Sequence, residues 1–102
     1  MAGARALDEE TLARRRRLLG DDHPDTLTSA GNLAAVLAAL GDWETAAGLY
    51  RQAWDGFRRK LGPAHPHTLK AGRSLDQTLE QLGRPPVAQL TLPASEKTDS
   101  QK

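Results

Sequence analysis

The sequence predicts an all-α fold: a solenoid of antiparallel helix hairpins, four helices in all, followed by a disordered C-terminal tail. Three observations carry this. First, LGDDHPDTL at Leu19–Leu27 returns as LGPAHPHTL at Leu61–Leu69, 42 residues later, with six of nine positions identical. A period of that size marks stacked supersecondary units. Second, Leu-Gly recurs at 19–20, 40–41, 61–62 and 82–83, every 21 residues. A glycine at half the repeat length reads as the stop of one helix after another. Third, apolar residues between these stops follow 3-4 spacing.

Residues 3–18 form the first expected helix, with Leu7, Leu12 and Leu18 toward the core. Asp8, Glu9 and Glu10 precede Arg14–Arg17, which suits the helix dipole and allows i,i+4 pairs such as Glu10–Arg14. Pro24 opens the second helix, at a position where its missing N–H costs nothing. That helix runs to Leu40 along Leu27, Ala30, Leu33, Ala34 and Leu37. Asp42 is a good N-cap for the third, residues 43–60. All four aromatics, Trp43, Tyr50, Trp54 and Phe57, lie in this helix at offsets that place them near one core-facing stripe. Pro66 opens the fourth, which reaches Leu82 along Leu69, Gly72, Leu75 and Leu79. Pro85 and Pro86 then prevent a further helix. Residues 1–83 are the expected helical domain and 84–102 the flexible tail.

Composition excludes several function classes. The chain has 102 residues, 14 Lys+Arg against 13 Asp+Glu, and no cysteine. A formal charge of +1 gives no general pull toward nucleic acid or anionic membranes. Thiolate metal sites and disulfides are ruled out. The longest apolar run, Leu33–Leu40, has eight residues, against about 20 needed to span a bilayer. The N-terminal stretch lacks the apolar region of a secretory signal, so the expected location is the cytoplasm.

No constellation points to catalysis: no nucleophile stands at a telling distance from a base. His23, His65 and His67 lack a partner motif for a metal and read as helix-start residues, so no cofactor is expected. Arg14–Arg17 wind around their helix without interleaved aromatics, which leaves nucleic-acid binding as the weaker alternative.

The stretch NLAAVLAALGDWETAAGLYRQA resembles the tetratricopeptide repeat, and the LG-x-x-HP-x-TL connector looks like its 42-residue kinesin-light-chain type. Leu33, Ala34 and Leu37 match the first-helix pattern; Gly41, Trp43, Ala46, Tyr50 and Ala53 match the turn and second helix. The chain then holds one full repeat and two halves. The first helix is a second half, with Asp8 where the full repeat has Tyr50. The last is a first half, with Asp76 at the place of Ala34. These two carboxylates would make the end faces soluble. The resemblance implies a non-enzymatic scaffold or adaptor that binds a protein or peptide on the concave face of its first helices. Carried onto this sequence, that face is Thr28, Gly31, Asn32 and Ala35, and Lys70, Arg73, Ser74 and Gln77. Asn32 stands where the family holds a peptide backbone, and Lys70 with Arg73 would favour an acidic peptide. The alternative is a structural piece that self-associates through its unpaired end helices, since repeats bury their faces on neighbours.

Overall fold

The computed structural model describes residues 2–87. It contains α1 (Ala2–Leu19), α2 (Pro24–Ala39), α3 (Trp43–Leu61) and α4 (Pro66–Gln81), and no strand among the described residues. Each helix packs on the next in sequence: α1 on α2, α2 on α3, α3 on α4.

The repeated connector explains these boundaries. Gly20, Gly41, Gly62 and Gly83 all have φ between 71° and 100°, where a side chain would be strained. At Gly41 and Gly83 the helix closes with a paired motif. Asp42 N–H donates to Leu37 O and Gly41 N–H to Ala38 O; Arg84 and Gly83 repeat both bonds on Leu79 and Glu80. After the glycine, a histidine caps the next helix. His23 Nδ1 accepts from Asp25 N–H and His65 Nδ1 from His67 N–H, each at 3.0 Å. Proline follows at the first helical position. The threonine then ties back: Thr26 Oγ1 donates to Arg15 O and Thr68 Oγ1 to Gly62 O. Both threonines are buried. Leucine comes last, and Leu27 seats against Gly56 of α3, where an added Cβ would lie 2.6 Å from its Cδ2.

The core runs along α2 and the facing sides of α3 and α4. It holds Leu33, Leu37, Trp54, Phe57, Leu75 and Leu79, with Ala30, Ala34, Ala46 and Ala53 keeping α2 and α3 close. Several expected core positions differ. Of the leucines of α1, Leu12 is buried (3% exposed), while Leu7 and Leu18 are 62% and 73% exposed. Leu69 is 48% exposed although its repeat mate Leu27 is 1% exposed. The reason is shared: among the described residues α1 packs mainly on α2 and α4 mainly on α3, which leaves the second apolar flank of each uncovered. The aromatic stripe also divides. Trp54 and Phe57 are buried, whereas Trp43 and Tyr50 are half-buried. The ion pair on α1 is Arg5–Glu9, not Glu10–Arg14.

Past the expected domain boundary at residue 83, the first four residues of the expected tail are described. Arg84–Val87 pack back on the domain. Arg84 pairs with Glu44 of α3, and Val87, 2% exposed, donates its N–H to Asp76 Oδ1. Asp76 therefore anchors a strap across the α3–α4 edge instead of simply facing water. Residues 88–102 of the expected tail lie outside the described residues.

Candidate functional site

The groove between α2 and α4 is floored by α3. Its α2 wall is Thr28, Gly31, Asn32 and Ala35; its α4 wall is His67, Lys70, Ala71 and Ser74. Each set has the spacing i, i+3, i+4, i+7, which is one helix flank. Tyr50 and Phe57, seven residues apart on α3, form the floor. The enclosed space is about 310 Å³, at the small end for a ligand pocket and suited to one large side chain or two small ones. Lys70 is the only Lys, Arg, Asp or Glu in the lining.

The polar details favour a partly dry floor. Burial pushes the Tyr50 phenol above its ordinary pKa of 10.0, and a hydrogen bond with Ser74 offsets part of this. A phenol raised in the folded state is stabilising only while protonated, so stability should fall as pH climbs from about 10 through the folded value. A titration of phenolate absorbance should show Tyr50, the only tyrosine, ionising later in the folded chain than in urea. At the rim, the His67 ring lies 5.5 Å from Phe57 and 5.0 Å from His65, both tilted.

Six of the eight expected residues meet here: Thr28, Gly31, Asn32, Ala35, Lys70 and Ser74. Arg73 and Gln77 do not. Arg73 lines a separate hollow of about 120 Å³ with Trp54, Leu69, Gly72 and Val87. Gln77 lies beside Asp76, Glu80 and Arg84. A shift of 42 residues carries one flank of α2 onto the same flank of α4, yet two walls of one groove are opposite flanks. The facing flank of α4 is reached from Lys70 and Ser74 by stepping to His67 and Ala71. Those two, with Tyr50 and Phe57, are what sequence reasoning missed. Their signal was the pair of aromatics seven residues apart on α3, opposite both first helices.

A larger hollow of about 860 Å³ lies on the opposite side of α3, lined by Arg51, Gln52, Asp55, Arg58 and Arg59 among others. It is open, and three of its four charged residues, Asp55, Arg58 and Arg59, are engaged within the chain. Asp55 takes Arg58 at 2.7 Å and Arg59 at 2.8 Å, Arg59 also pairs with Asp22, and Arg58 sits 4.7 Å over Trp54. The α2–α4 groove, with two walls and an aromatic floor, is the stronger candidate. The Arg14–Arg17 run is dispersed as well: Arg15 bonds Ser29 Oγ and Asp25 O, and Arg16 bonds Gln52. Among the described residues no group of three or more His, Cys, Asp or Glu is placed to hold a metal ion. No described helix is long and apolar enough to cross a membrane.

Helix hairpins at a 42-residue period, with first helices sharing a groove over a second-helix floor, define a helical-repeat protein. The tetratricopeptide repeat family model matches residues 1–59, that is α1, α2 and most of α3, and the chain belongs to this family. A search of curated proteins finds no match. The family assignment makes the chain a protein-interaction module of a type that is typically non-catalytic.

Proposed function

We propose that the chain is a non-enzymatic adaptor that binds a short extended segment of a cytoplasmic partner protein in the α2–α4 groove. A bulky apolar side chain of the ligand rests on Tyr50 and Phe57. Asn32, exposed on the α2 wall, offers its amide as donor and acceptor to the ligand backbone. Lys70 sets a preference for an adjacent carboxylate, a role that Arg73 no longer shares. The carrying observation is the convergence of two polar–small walls on an aromatic floor, with a lone lysine as the charge in the lining.

Selection from a displayed library of random short peptides tests this. The enriched peptides should carry a bulky apolar residue close to Asp or Glu. Lys70→Glu should weaken them about tenfold, the size of one charge-assisted contact reversed. Equal binding to wild type and Lys70→Glu would remove the acidic preference.

A second reading, self-association through an end helix, is favoured by the bare leucines of α1. The opposite end is less open, because Arg84–Val87 cover part of α4.

A further inference from the structure

Leu7 and Leu18 stand about 16 Å apart along α1 and, at 100° per residue, within about 20° of each other around it. They point about 130° away from Leu12, which is buried against the rest of the domain. Two leucines three turns apart on one helix flank have the spacing of the apolar contacts in a helix–helix seam.

The arginine run divides along the same line. Arg15 and Arg16 turn inward, to Ser29 and Gln52. Arg14 and Arg17 are exposed on the leucine side, and so is Glu10. Among the described residues, none of these three makes an ion pair or side-chain hydrogen bond within the chain. The flank thus carries one acid in its N-terminal half, two arginines in its C-terminal half, and a leucine toward each end. It is complementary to itself when reversed.

We propose that α1 pairs antiparallel with α1 of a second copy, about a twofold axis near Leu12–Ala13. That axis sets Leu7 against the partner's Leu18, and Leu18 against the partner's Leu7. Glu10 then falls at the level between the partner's Arg14 and the partner's Arg17, on the same side of the interface. The symmetry repeats each contact, as an isologous interface requires. Gly3 and Ala4, exposed and small, leave room at the outer turn. One helix pair of this length buries less than the about 1,200 Å² of a standard interface, so the dimer forms in the range of about 10 µM to 1 mM. This rests on the second reading above, not on the peptide groove, since no α1 residue lines that groove.

Sedimentation velocity on the full chain across that concentration range tests the pairing. The wild type should shift from monomer toward dimer, and Leu18→Glu should remain monomeric with an unchanged melt. The register is tested by charge exchange. Glu10→Arg alone and Arg14→Glu/Arg17→Glu alone should each weaken association at least about tenfold; an equimolar mixture of the two should restore it as a heterodimer. A wild type that stays monomeric at about 1 mM would overturn the proposal. So would a dimer that Leu18→Glu leaves intact, or a mixture that associates no better than its components. None of these outcomes touches the peptide groove, whose readout is peptide affinity.

Discussion

Leu27→Ala should cost about 3 kcal/mol of stability, whereas Leu69→Ala, the same residue one repeat later, should cost under about 1 kcal/mol. Leu27 is 1% exposed and Leu69 is 48% exposed. The difference is the helix on top: Leu27 has α3 and Gly56, while among the described residues no helix follows to cover Leu69. A domain of this size holds about 5–10 kcal/mol in total, so the first loss is a large fraction. Urea unfolding followed by tryptophan fluorescence should show a lower midpoint for Leu27→Ala at unchanged slope. The geometry also predicts coupling. Gly56→Ala forces a Cβ to within 2.6 Å of Leu27 and should destabilise alone. In the Leu27→Ala background the added methyl enters the vacated space, so the double variant should be more stable than the sum of the singles implies. Equal costs at 27 and 69 would mean that the end of the array is covered in solution.

Filling the groove should abolish peptide binding without harming the fold. Gly31 lies on the α2 wall with open space where a Cβ would go. Gly31→Trp should therefore occupy the pocket over Tyr50 and Phe57. Binding of the selected peptide should fall at least about a hundredfold, the value of a buried apolar anchor. The melt should hold or rise slightly, because tryptophan is a better helix former than glycine. Gly48→Trp is the matched control. Gly48 is equally free of contacts but lines the hollow on the opposite side of α3, so it should leave the affinity unchanged.

The helix count and the repeat were legible because punctuation is local. Leu-Gly and His-Pro report φ, a cap and a missing N–H, all settled within a few residues. The family followed from the same stretches. Which apolar residues are buried at the two ends was not legible. Leu7, Leu18 and Leu69 have correct helical spacing, and spacing says nothing about whether a neighbouring helix exists. The strap was hidden for a related reason. Pro85 and Pro86 correctly ended the helix, but the bond from Val87 to Asp76 joins residues eleven apart through a side chain. All four expected α2 residues line the groove, and of the four expected on α4 only Lys70 and Ser74 do. Translating a repeat preserves a flank and a groove needs the opposing one. Hence Arg73 and Gln77 line other hollows, and His67 and Ala71 line this one.

The groove itself is tested most directly by a chemical-shift map of the isotope-labelled chain titrated with a selected peptide. The structure predicts that the amides moving most are those of Gly31, Asn32 and Ala35 on α2 and of His67, Lys70 and Ala71 on α4, with smaller shifts at Tyr50 and Phe57. Perturbations centred instead on Arg51, Asp55 and Arg59, across α3, would contradict it.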